Sequence, residues 1–223
     1  MQAIKRSTLN QKTYKILLDM LFSSEIPMGS QLEERELSDK LGVSRTPLRD
    51  AISQLVREGL VEYRPYQGNF VKHWNAKQVE DLYTVRKSLE MLAIQLAIPK
   101  LSNEDIDAIA DILEQAHKAL EADDLAAFGA CDSQFHQLII HKTGNETLIN
   151  SLERLSLQIQ MVRTLANRDP YVVKRTSYER PRILQALRDR DSEQAAFLMG
   201  EHIEGVKESV VNQIRSAEKP QIV

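Results

Sequence analysis

With 223 residues, 42% apolar and 27% charged, the chain has the balance of an ordinary soluble protein and enough length for one sizeable core or two small ones. It has no apolar run of about 18 residues, and its start, MQAIKRSTLNQ, lacks the apolar centre of a signal peptide; both point to the cytoplasm and away from a membrane. The single Cys131 excludes an internal disulfide, and the net charge of −3 divides unevenly, with 11 Lys+Arg against 9 Asp+Glu in residues 1–74 and 18 against 23 thereafter. In chain order, Leu9 to Ser24 reads as a helix with Tyr14, Leu17, Leu18 and Leu21 as its apolar stripe, ended by Pro27-Met28-Gly29. Glu33 to Leu41 is a second, short helix, and Gly42 follows where positive φ costs little. Ser44 stands at an N-cap with its hydroxyl free to accept an orphan N–H, and Pro47 falls in the first turn of a third helix. Leu48, Ile52 and Leu55 make the buried stripe of that helix, Arg45 and Arg49 share another face, and Gly59 closes it. Leu60 to Tyr63 and Asn69 to Lys72 read as two strands around the turn Pro65 to Gly68. A helix-turn-helix followed at once by a hairpin is a winged helix. Its third helix suits the DNA major groove, with the tip Tyr66, Gln67 and Gly68 able to meet a phosphate or the minor groove.

The run PMGSQLEERELSDKLGVSRTPLRDAISQLVREGLVEYRPYQGNFV resembles the N-terminal domain of the GntR superfamily of bacterial transcription regulators. The resemblance implies operator DNA as a partner. It assigns DNA contacts to Arg35, Arg45, Thr46 and Arg49, with Ser44 at the helix start and Gln67 and Gly68 at the wing.

His73-Trp74-Asn75 reads as a linker between a domain of residues 7–74 and one of residues 75–217, with Trp74 wedged between them and Asn75 as an N-cap. Beyond it the period is helical almost to the end: Ala76 to Ile98, Ser102 to Glu121, Leu125 to Lys142, Glu146 to Asn167, Tyr171 to Asp189 and Ser192 to Ser216. Ser102 with Asp105 is a capping-box-like start, and Asp124 a further cap. The fold class is therefore mainly α, an N-terminal winged helix-turn-helix followed by an antiparallel bundle of about six helices. The patterns LYTVRKSLEMLAIQLA, DSQFHQLI, ILQALRDRD and MGEHI resemble, in order and spacing, the C-terminal ligand-sensing (FCD-type) domain of the FadR subfamily within GntR.

Polar residues facing into a bundle need a reason. Asp132 and His136 lie four apart on a face shared with Phe128 and Ile139 or Ile140, and His202 sits among Phe197, Leu198, Ile203 and Val206. One carboxylate and two imidazoles from facing helices are a donor set for a divalent cation such as Zn²⁺ with positions left open. The resembled domain uses D-x-x-x-H with two later histidines. Asp132, His136 and His202 match, but the position three before the isoleucine of I-L-Q-A-L is Arg180. Three readings stand side by side: a metal held by three side chains and water, Arg180 as the permanent cation that binds a carboxylate directly, and a structural Arg180–Asp132 ion pair. The resemblance adds Arg86 and Arg163 as carboxylate-binding candidates, against which each could form a surface salt bridge. His117 and His141 read as solvated. The function that follows is a ligand-responsive, homodimeric regulator that binds a pseudo-palindromic operator and senses a small organic acid. A metal-free fatty-acyl sensor is the runner-up. A non-haem metal enzyme is disfavoured, because the sequence shows no nucleophile constellation or Gly-rich phosphate loop.

Overall fold

The computed structural model describes residues 9–167 and 169–218, and the chain divides into two compact units between Trp74 and Asn75. The expected domain start at residue 7 lies outside the described residues.

In the first unit α1 (Leu9–Phe22), α2 (Glu34–Leu41) and α3 (Arg45–Arg57) precede a hairpin of β1 (Val61–Arg64) and β2 (Gly68–Val71). α1 ends two residues before the expected Ser24, which takes a left-handed φ of 63° and closes the helix. Its buried face is Thr13, Leu17, Met20 and Leu21; Tyr14 and Leu18 are only half-buried, and the Tyr14 hydroxyl donates to Glu58 at 2.6 Å. Gly42 has φ 64°, and its N–H bonds back to Ser38, so the tight turn between α2 and α3 uses the freedom of glycine. Ser44 has the extended backbone of an N-cap, but its hydroxyl makes no capping bond, contrary to expectation. Leu48, Ala51, Ile52 and Leu55 bury the inner face of α3. The strands pair antiparallel with Val61 opposite Val71 and Arg64 opposite Gly68, one residue displaced from the expected spans.

The second unit contains α4 (Ala76–Ala97), α5 (Asn103–Glu121), α6 (Leu125–Lys142), α7 (Glu146–Ala166), α8 (Pro170–Arg188) and α9 (Ser192–Glu218). Their starts are set by side chains. Asn75 with Gln78 and Ser102 with Asp105 form complete capping boxes, and Asp124 and Asn145 accept the third backbone N–H of α6 and α7. α4 stops one residue early and passes into a 3₁₀ turn, Ile98–Lys100, containing Pro99. α8 carries Pro181 in its interior. The core face of α4 carries charge. Leu92 is exposed and Leu89 and Leu96 half-buried, packing around Ala93, Ile140, Leu148 and Leu152, while Arg86 and Glu90 lie on the buried face. Phe197, placed inside by the periodicity, is likewise exposed on α9. Cys131 is buried, and His117 and His141 are exposed.

Candidate functional site

Two groups of side chains stand out, one on each unit. On the first, the apolar stripe of α3 faces inward and so turns Arg45, Thr46 and Arg49 out to solvent at its N-terminal end. Ser44 precedes them and is exposed, and Arg35 is exposed on α2. Arg49 donates to Glu34 at 2.7 Å, a pair open enough to water to be weak. At the wing, Tyr66 has φ 63° and is fully exposed beside the exposed Gln67. Gly68 has φ 101°, and a Cβ there would stand 3.3 Å from Gln31 Nε2, which donates to the Gln67 carbonyl at 2.7 Å. The bend of the wing is thus held from outside the hairpin.

The second group is buried. Asp132 and His136 on α6, Arg86 and Glu90 on α4, Arg180 on α8 and His202 on α9 are each less than 5% exposed. Phe128, Phe135 and Ile139 place α6 against the core, and the i, i+4 spacing then brings Asp132 and His136 to the same interior face. His136 and His202 stack with ring centroids 5.6 Å apart, and donor atoms from Asp132, His136 and His202 all lie within 4.8 Å of one another. The structure therefore gathers the three residues expected to hold a metal.

It also shows what surrounds them. His136 Nδ1 donates to Glu90, and His202 Nδ1 donates to Glu179 at 2.8 Å. Each carboxylate fixes the Nδ1–H tautomer and makes Nε2 the nitrogen with a lone pair, the usual support of a metal-binding imidazole. Burial pushes His202 down to about 3 and lowers His136 too, so both rings are neutral, as ligation requires. Glu90 is held well below the usual carboxylate range: the cost of burial is outweighed by Arg86, whose Nε donates to it at 2.6 Å, and by His136. Arg86 Nη2 donates to His136 Nε2 at 3.2 Å. Arg163 and Arg180 each donate to Asp132, one to either oxygen, and Arg163 also reaches Ser133 Oγ at 3.0 Å. The surface salt bridges considered for Arg86 and Arg163 do not form; both side chains are drawn inward instead. Burial weakens the hold of Arg163 and Arg180 on their protons, yet a guanidinium stays a cation. Among Arg86, Asp132, Arg163, Thr176, Arg180 and His202 the free space is about 10 Å³, room for the centre of about one water.

Glu90 and Glu179 are the members that sequence reading missed. Each had a signal: Arg86 with Glu90 and Arg175 with Glu179 are i, i+4 pairs of opposite charge. The first pair lies on a helix face that is otherwise apolar.

The FCD domain family matches residues 81–205, and the gntR family of bacterial regulatory proteins matches residues 9–71. The chain is 28% identical over 210 residues to the HTH-type transcriptional repressor RspR of Escherichia coli, covering 93% of this chain and 90% of that one. It is 29% identical over 204 residues to the Nta operon transcriptional regulator of Aminobacter aminovorans, covering 89% and 92%. In fold it resembles E. coli McbR/YncC, with a TM-score of 0.79 at 22% identity over 92% of this chain and 98% of that one. No described helix is long and apolar enough to cross a membrane. The winged helix-turn-helix, the helical unit that follows it in the chain and both family matches lead to one conclusion: the chain is a bacterial transcription regulator of the gntR family with an FCD domain.

Proposed function

We propose that this regulator binds its operator as a homodimer and changes its occupancy when a small carboxylic acid enters the buried cluster of the FCD domain. The observation that carries the reading is the charge of that cluster. Two buried guanidiniums, Arg86 and Arg180, and the half-buried Arg163 face two buried carboxylates, Glu90 and Asp132, while Glu179 is matched by Arg175 and both imidazoles are neutral. The unmatched positive charge, in a region screened poorly by water, favours an anion. The guanidiniums and the carboxylate in the lining disfavour an acyl tail.

A divalent metal fits the same cluster. Asp132, His136 and His202 would hold it, since their donors are close, neutral where they must be and supported by Glu90 and Glu179. When bound, such an ion supplies a Lewis-acid point for a carboxylate oxygen. The protein's own part is to orient the imidazoles and to hold the remaining carboxylate through guanidinium forks.

In the DNA-binding unit, Arg45, Thr46 and Arg49 are assigned to base edges and phosphates of the major groove, with Arg35, Ser44, Gln67 and Gly68 as flanking contacts. Two related regulators are named as repressors, which supports operator blocking as the mode of action. The acid would act by binding two geometries of the bundle unequally, since only differential affinity moves occupancy. The test is operator binding titrated with acetate, lactate and succinate, for wild type and His136→Ala. A shift in wild type that is lost in the variant is expected, and an equal shift in both would move the effector site elsewhere.

A further inference from the structure

Asp132 is engaged on both sides. Arg163 holds Oδ2 and Arg180 holds Oδ1, and Oδ1 also faces His136 Nε2 at 3.7 Å. Two donors bound about 2.1 Å from a tetrahedral ion stand roughly 3.4 Å apart, so this O···N pair already has nearly the span a divalent cation needs. The same two atoms are the ones that guanidiniums cover, Arg180 Nη2 on the oxygen and Arg86 Nη2 on the nitrogen. A divalent ion at this point would lie within a few ångström of two like charges, where little water remains to screen them. With Arg86, Arg163 and Arg180 set against Glu90 and Asp132, and Arg175 against Glu179, it would raise the unmatched charge of the cluster from +1 to +3, a burden not carried inside a protein without a counter-ion.

We propose that Arg180 and a divalent cation compete for Oδ1 of Asp132, and that a carboxylate anion ends the competition by drawing Arg180 onto itself, so that cation and anion load together. This rests on the organic-acid reading above and adds how the charges are compensated. Arg180 is suited to the exchange. Its Nε is buried with no hydrogen-bond partner, and its guanidinium lies 4.9 Å above the Phe128 ring. If Arg180 lets go, Asp132 keeps Arg163 and is not stranded. The space in front of these groups has room for the centre of about one water, so a carboxylate needs a lining side chain to move, and Arg180 is the one it would attract. The coupling is reciprocal: an acid that tightens the metal is itself tightened by it to the same degree.

Zinc affinity of the full chain, measured against a chromophoric chelator with and without acetate, lactate or succinate, tests this in wild type and Arg180→Met, with each acid's own zinc binding subtracted. In wild type at least one acid is expected to tighten zinc about fivefold or more. Arg180→Met should bind zinc without acid about tenfold tighter than wild type and lose most of the acid's effect. Equal zinc affinity in the two proteins without acid overturns the competition, even where operator binding still responds to acid. Zinc bound by neither protein overturns it together with the metal reading, while the acid-sensing reading is judged separately by the operator titration. Should Arg180→Met lose its helical circular-dichroism signal, Arg180→Lys, a point charge without the fork, should bind zinc more tightly than wild type; unchanged affinity there also overturns the proposal.

Discussion

The two units place their distinctive polar residues in opposite ways. In the N-terminal unit the framework is apolar and closed, and Arg45, Thr46 and Arg49 project from it into water. In the FCD domain the distinctive residues are the core: Arg86, Glu90, Asp132, His136, Arg180 and His202 occupy places that leucine or alanine would otherwise fill. In the first, scaffold and contact surface are separable, and a change to one need not disturb the other. In the second, stability and recognition draw on the same ion pairs.

The contrast is sharpest for Asp132→Ala. It strands Arg180 in the interior and leaves the half-buried Arg163 with Ser133 alone, and removing one partner of a buried ion cluster costs about 3–5 kcal/mol, to be read as a lower urea midpoint. A loss below about 1 kcal/mol would mean that the cluster is not integral to the fold. Next, Arg45→Ala should leave the urea midpoint and helicity as they are and weaken operator binding by about 1–3 kcal/mol, measured by fluorescence anisotropy. Retained sequence preference would remove α3 as the reading helix.

Acid gives a smaller effect confined to the FCD domain. Burial depresses His202 from 6.5 to about 3, so between those values the unfolded chain takes up a proton that the folded chain refuses. Stability is then fully present above about pH 6.5 and is lost as pH falls below it, by about 1 kcal/mol between pH 7 and 5.5 from this group. Denaturation curves with no slope in that window for this domain would contradict the buried neutral ring. Smallest of all is a difference between two serines. Ser102→Ala breaks a formed capping box and should cost about 1 kcal/mol, while Ser44→Ala, whose hydroxyl caps nothing, should cost under about 0.5 kcal/mol in stability. Equal costs would mean that Ser44 does cap in solution.

The same division governs how much the sequence disclosed. The winged unit was legible because its signals are local: Gly42, Pro47 and Gly59 mark ends, and the stripe Leu48, Ile52, Leu55 sets which way Arg45 faces. The caps Asn75, Ser102 and Asp124 announced their helices for the same reason. Inside the bundle, the i, i+4 pair Asp132 and His136 was legible, and His202 with it. Phe197, expected beside His202 in the interior, is nevertheless exposed, while Arg86, Glu90 and the small residues Ala195 and Ala196 of α9 are buried. Periodicity counts apolar positions and cannot see that a guanidinium is buried because a partner comes from another helix, as His136 does for Arg86 and Asp132 for Arg180. Glu90 and Glu179 escaped notice because each looks like half of a local ion pair, while the imidazoles they orient, His136 and His202, come from other helices.

Pro181 gives α8 a mechanical property that its neighbour inherits. Having no N–H, it leaves the carbonyl of Ser177 without the donor four residues on, so one rung of the helical ladder is missing. A rod with a missing rung bends there before it bends anywhere else. The weak point lies one residue from Arg180, so a small flex of the helix at that point would be delivered to the guanidinium as a change of direction. The other buried members of the cluster sit on helices with no such notch among the described residues.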